Sequence, residues 1–113
     1  MDKTEILKRA SDIVNGERQT MYGKPETNLS FIADLWTVYL AKIITPEDVA
    51  LMMTLFKIAR CKTGVGSEDS FVDACGYMAI GGEMASARLD KLNDAINAFI
   101  DHEEDEDDDA DKT

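Results

Sequence analysis

Apolar residues recur at helical spacing in successive stretches of the chain, and no segment shows the strict alternation of a strand. Ile6, Leu7, Ala10, Ile13 and Val14 predict a short amphipathic helix over 3–14, stopped by Asn15-Gly16. Residues 17–27 have no period and contain Gly23 and Pro25, which predicts a connection long for a small helical domain. From Asn28 the series Leu29, Ile32, Ala33, Trp36, Tyr39, Leu40, Ile43 forms one apolar face and predicts a helix ending near Ile44, with Trp36 and Tyr39 in the core. Thr45-Pro46-Glu47-Asp48 then restarts a helix: a threonine N-cap, proline at the first helical position and an acid three residues after the cap. The helix it opens, to about Lys62, is apolar nearly all round (Val49, Leu51, Met52, Met53, Leu55, Phe56, Ile58, Ala59), as the central helix of a bundle would be.

Thr63-Gly64-Val65-Gly66 reads as a turn, and Ser67-Glu68-Asp69 starts a further helix with a cap and with acids against its positive end. Phe71, Val72, Cys75, Met78, Ala79 and Gly82 predict its inner face, and Gly81-Gly82 offers either a kink or the close approach of a neighbour. Beyond it Ala85, Leu89, Leu92, Ile96 and Phe99 recur at spacings of four and three. That stripe is too short for a free coiled coil, and suits docking on the bundle or on a second subunit. Met52, Met53, Met78 and Met84 read as gap-filling core residues.

Charge changes the picture at one end only. The 113 residues carry a net charge of −11, but nine of the 23 acids lie in residues 101–113 with a single base, Lys112. Without that segment the body carries 14 acids against 11 bases, an ordinary balance for one helical domain over 1–100. Residues 101–113 read as a disordered, solubilising tail, with mimicry of nucleic-acid phosphates as the sharper alternative. No apolar run has the length of a membrane span, the first residues lack a signal-peptide pattern, and no basic stripe would grip nucleic acid, so a cytoplasmic protein is expected. Two cysteines, Cys61 and Cys75, and one histidine, His102, give neither a zinc site nor a disulfide framework, and the cysteines read as small buried hydrophobes.

Two constellations carry candidate chemistry. Lys57 and Arg60 stand at i and i+3 on the apolar central helix, and Asp69 and Asp73 stand at i and i+4 on the next. A short turn makes these helices antiparallel neighbours, so the pairs form either an interhelical salt-bridge set or a site where carboxylates hold Mg²⁺ and the bases neutralise phosphate. The second constellation is the loop Arg18, Tyr22, Gly23, Lys24, Pro25, Asn28. It offers an arginine fork for phosphate and an asparagine at a predicted helix start, and equally a plain loop anchored by Tyr22 and capped by Asn28. Trp36 is a minor candidate for stacking on a base.

The ordered set Arg18-x3-Tyr22-Gly23-x-Pro25-x2-Asn28, Ile32-Ala33-x2-Trp36, Thr45-Pro46-x-Asp48-Val49-Ala50, Lys57-x2-Arg60 and Asp69-x3-Asp73-x2-Gly76-Tyr77 resembles a family of small phage- and prophage-encoded proteins of uncharacterised function, over about residues 5–85. Its last element is also similar to a helix of the all-α NTP pyrophosphatase superfamily, the MazG-like proteins. Those enzymes are helical bundles, usually dimers or tetramers, that use Mg²⁺ and clustered carboxylates to release pyrophosphate from nucleoside triphosphates. That resemblance implies Asp69 and Asp73 as catalytic, metal-facing acids. Its ExxE pair is absent, however, and Lys57 and Arg60 stand in its place, so further metal ligands would have to come from Asp34, Glu47, Asp48 or Glu83.

The expectation is therefore an all-α, MazG-like antiparallel bundle of four to five helices with an acidic tail, associating through its later helices. The function expected is nucleotide binding, with Mg²⁺-dependent NTP pyrophosphohydrolysis as its catalytic form: Asp69 and Asp73 hold the metal, Arg18, Lys57 and Arg60 meet phosphates, Lys24 joins the substrate-binding set, Tyr22 and Asn28 shape the loop, and Trp36 meets the base. The alternative is a non-enzymatic acidic protein that inhibits or sequesters a host or defence factor, or a nucleotide signal.

Overall fold

The computed structural model describes residues 1–17, 24–64 and 67–111. It contains four α-helices, α1 (Lys3–Asp12), α2 (Pro25–Leu40), α3 (Pro46–Thr63) and α4 (Ser67–Asp111), with a π-helical turn (Ile13–Glu17) after α1 and no strand among the described residues. The all-α bundle expected from the periodicity is what forms.

The helix boundaries follow local chemistry. Asp2 caps α1 by accepting from the Glu5 amide at 2.8 Å. α2 begins three residues before the predicted start, because Pro25 takes the first helical position rather than breaking the chain. Asn28 is therefore not a cap, and its amide donates to the Lys24 carbonyl at 3.3 Å. α2 also ends early, at Leu40, where Ala41 adopts the left-handed conformation with φ 54°. Thr37 Oγ1 then clamps the connection, accepting from Ile44 N at 2.9 Å and donating to Ile44 O at 3.2 Å. α3 opens as its sequence predicts: Asp48 N donates to Thr45 Oγ1 at 3.1 Å and Thr45 N donates to Asp48 Oδ2 at 3.0 Å. It closes on Gly64, at φ 82°.

α3 and α4 run antiparallel side by side, tied near one end by Lys57–Asp73 and near the other by Arg88–Glu47. Between these ties Gly81 allows the close approach its sequence suggested, since a Cβ there would stand 3.1 Å from Ala50 Cβ. α1 lies along the first part of α4, with Gly76 against Val14. α2 closes the core, in which Leu29 and Ala33 meet Val49 and Ala50, flanked by Ile32, Trp36, Met53, Tyr77, Ile80 and Met84.

Several predicted faces are turned. Tyr39 and Ile43 lie at the surface rather than in the core. On α4, Phe71 and Met78 face outward, while Ser70, Val72, Gly76 and Gly81 are buried. Small residues take the inner positions because the helices approach closely there, and the larger side chains are displaced outward. α3 is not surrounded: Leu51, Leu55, Phe56 and Ile58 are exposed, as is Met52. Cys61 and Cys75 are free thiols, each half-buried. No helix among the described residues is long and apolar enough to cross a membrane.

Candidate functional site

A cavity of about 240 Å³ opens where the π-helical turn, α2 and α4 converge over Met53 of α3. Its lining is mainly aliphatic, from Ile13, Val14, Leu29, Ile32, Met53 and Ile80. Against this background stand three polar side chains, Asn28 from α2 and Asp73 and Tyr77 from α4. Asp73 and Tyr77 share a face because they are four residues apart on one helix. Asn28 joins them because Leu29 and Ala33 pull the adjacent face of α2 onto α3.

Asp73 is held by Lys57, whose Nζ lies 2.9 Å from Asp73 Oδ2; the two side chains are only 14% and 22% exposed. The antiparallel arrangement inferred from the short turn thus brings one basic residue and one acid together, the acid on the cavity wall. It does not do the same for the other two. Asp69, one turn earlier on α4, is exposed and makes no ion pair among the described residues. Arg60 sets its guanidinium carbon 5.7 Å from the Phe56 ring centroid, with Lys57 Nζ at 5.8 Å from the same ring.

The remaining candidates are dispersed. Lys24 is exposed at the start of α2. Trp36 is half-buried against the Val49–Ala50 cluster and is not part of the cavity lining. Arg18 and Tyr22 lie outside the described residues; their segment, 18–23, joins the π-helical turn to the start of α2, both of which contribute to the cavity wall. Asp101, His102 and Glu103, at the start of the acidic segment, are exposed, and the side chains beyond them lie outside the described ones. Sequence reasoning passed over Tyr77, Val14 and Met53 as lining residues. Only Tyr77 carried a usable signal, its i+4 relation to Asp73.

Among the described residues no three His, Cys, Asp or Glu side chains gather where a metal could sit. Asp69 and Asp73 supply two carboxylates one turn apart, and one of them already accepts from an ammonium group. Mg²⁺ keeps several waters and takes one or two carboxylates together with substrate phosphates; here Asp69 is exposed and Asp73 is engaged by Lys57.

Residues 5–85 match the model of a family described as a domain of unknown function (DUF6378). The chain is similar to the Gene 55 protein of Mycobacterium phage L5, 43% identical over 76 residues that make up 66% of this chain and 49% of that protein. It is also similar to the Gene 55 protein of Mycobacterium phage D29, 46% identical over 72 residues, 64% of this chain and 48% of that protein. The chain spans about half the length of these curated relatives. None of these matches is to the MazG-like superfamily. No solved structure matches the chain.

Proposed function

The chain belongs to the DUF6378 family, and from that premise we propose that it binds a small nucleobase-bearing molecule, with the ring held in the cavity beside Asp73. The observation that carries this reading is a cavity with aliphatic walls and a single cluster of polar groups: Asn28, Tyr77 and the Lys57-held Asp73. Aliphatic side chains suit the two faces of a flat heterocycle. An amide, a carboxylate and a phenol supply the donors and acceptors that its edge needs.

Size limits what enters. A volume of about 240 Å³ falls just under the roughly 300–1,000 Å³ of pockets that enclose drug-sized ligands. One ring system fits, and a sugar with phosphates would extend through the mouth. Lys24, exposed just before the Pro25 of the cavity wall, would meet those phosphates. Asp73 acts here as an acceptor fixed in place by Lys57, not as a metal ligand. The reading is therefore binding without turnover, and the nucleotide-signal form of sequestration is the version of the sequence expectation we retain.

The test is thermal unfolding of the full chain against nucleosides and nucleoside mono- and triphosphates, with and without Mg²⁺, with pyrophosphate assayed in the same samples. A ligand of this class raises the melting temperature; at a hundredfold excess over Kd the stabilisation is about 2.7 kcal/mol. Mg²⁺ leaves the shift unchanged, no pyrophosphate appears, and Asn28→Leu, a change at an exposed position, removes the shift while the fold stays intact. The reading fails if no member of the panel shifts the transition at millimolar concentration, and pyrophosphate release would replace binding by hydrolysis.

A further inference from the structure

The sequence left two partners open for the stripe at the end of α4, the chain's own bundle or a second copy. The structure removes the first. α3 reaches no further along α4 than the Glu47–Arg88 ion pair, and every residue from Ser86 to Glu103 is exposed. Beyond Arg88, α4 continues to Asp111, a projection of roughly 35 Å at the helical rise. Along it Leu89, Leu92, Ile96 and Phe99 are 49%, 51%, 46% and 62% exposed.

The surface area points the same way. A compact monomer of 12.5 kDa exposes roughly 6,200 Å², whereas this chain exposes 8465 Å². The excess is about 2,300 Å², and a standard interface takes roughly 800 Å² from each partner. That excess runs around the whole projecting helix, and a second chain would cover the share along its apolar stripe. The Cα radius of gyration, 20.1 Å, against about 13 Å for a compact domain of this length, reflects the same projection.

We propose that the projecting part of α4 pairs antiparallel with the same helix of a second copy of this chain, through Leu89, Leu92, Ile96 and Phe99. Charge selects the direction. A parallel pair would set the nine acids of one end beside the nine of the other. An antiparallel pair places Leu92 opposite Ile96 and Leu89 opposite Phe99 of the second copy, sets Glu103 opposite Ala85, one turn from Arg88, and keeps the two acidic ends at opposite ends of the pair. The interface is isologous and closes at two chains.

Light scattering and sedimentation on the full chain test the pairing. The expected mass is twice the chain's 12.5 kDa, falling to the single-chain value in Leu92→Glu/Ile96→Glu, with the far-ultraviolet dichroism of the monomer retained because both side chains are already exposed. A short thiol crosslinker tests the direction in a Cys61→Ser/Cys75→Ser background. Chains carrying Ser86→Cys link to chains carrying Ile100→Cys, and Glu103→Cys does not link to its own kind. A single-chain mass for the parent overturns the proposal. So does a dimer lost on Val38→Glu/Tyr39→Glu but kept in Leu92→Glu/Ile96→Glu, which would move the contact to the outer face of α2. Self-linking through Glu103→Cys overturns the antiparallel direction and with it the proposal.

Discussion

Replacing Lys57 by methionine removes the only cation that the structure places on Asp73 among the described residues, at 2.9 Å. Two unit charges about 4 Å apart attract by about 4 kcal/mol at an effective dielectric constant of 20, before the cost of leaving water is subtracted. Fully buried pairs lose about 3–5 kcal/mol when one partner is deleted, and exposed pairs about 0–1. With side chains 14% and 22% exposed, this pair stands between those limits, and we expect a loss of about 2 kcal/mol for Lys57→Met. In a domain of this length that corresponds to a fall of roughly 10 °C in melting temperature. Asp73→Leu strands the ammonium instead and carries a similar loss. The double variant Lys57→Met/Asp73→Leu has no stranded charge and returns close to the parent, so the coupling equals the sum of the two single losses, about 4 kcal/mol. Urea unfolding at one fixed protein concentration measures all four corners of the cycle, since association would otherwise add to the apparent stability. Additivity of the two single losses to within about 0.3–0.5 kcal/mol would refute the reasoning. Asp73 would then be free to act independently of Lys57.

Four further outcomes are expected. Thr45→Ala removes half of the capping box and costs about 1 kcal/mol in urea unfolding. The Thr45 backbone amide, and secondarily its hydroxyl, hold Asp48 below the usual carboxylate pKa, so the stabilisation is complete above the unfolded value and lost as pH falls through the lower folded one; the deficit of Asp48→Asn relative to the parent shrinks below about pH 4. Gly82→Ala, which meets nothing within 4 Å, stabilises α4 by about 0.5–1 kcal/mol. Gly81→Leu drives its side chain toward Ala50, destabilises by about 1–3 kcal/mol, and an equal response at the two glycines would contradict the close approach of α3 and α4. Ala41→Gly relieves a left-handed residue at φ 54° and raises stability by up to about 1 kcal/mol, whereas a loss there would show that this residue is not left-handed in solution.

What the sequence determined by itself was local. Four helical stretches, the capping box at Thr45 and the glycine stop at Gly64 depend on neighbours a few residues away, and all of them formed, with α2 displaced at both ends. The meeting of Lys57 and Asp73 was legible for a related reason: a short connection leaves two helices little choice but to fold back on each other. The ends of α2 were less legible, because Pro25 opens a helix as readily as it interrupts a chain, and Ala41 carries no signal for the left-handed conformation it adopts.

The tertiary structure decided which faces are covered. Apolar spacing on α4 pointed to Phe71 and Met78, yet close packing against α3 and Val14 selects the small Ser70, Gly76 and Gly81 for the inside. Spacing shows that a helix has an apolar side, but separation between helices sets how large the inward side chains can be. The cavity belongs to this second level as well. Asn28, Asp73 and Tyr77 are ordinary residues on two helices, and they become one polar cluster in an aliphatic pocket only because α2, α4 and the π-helical turn converge there.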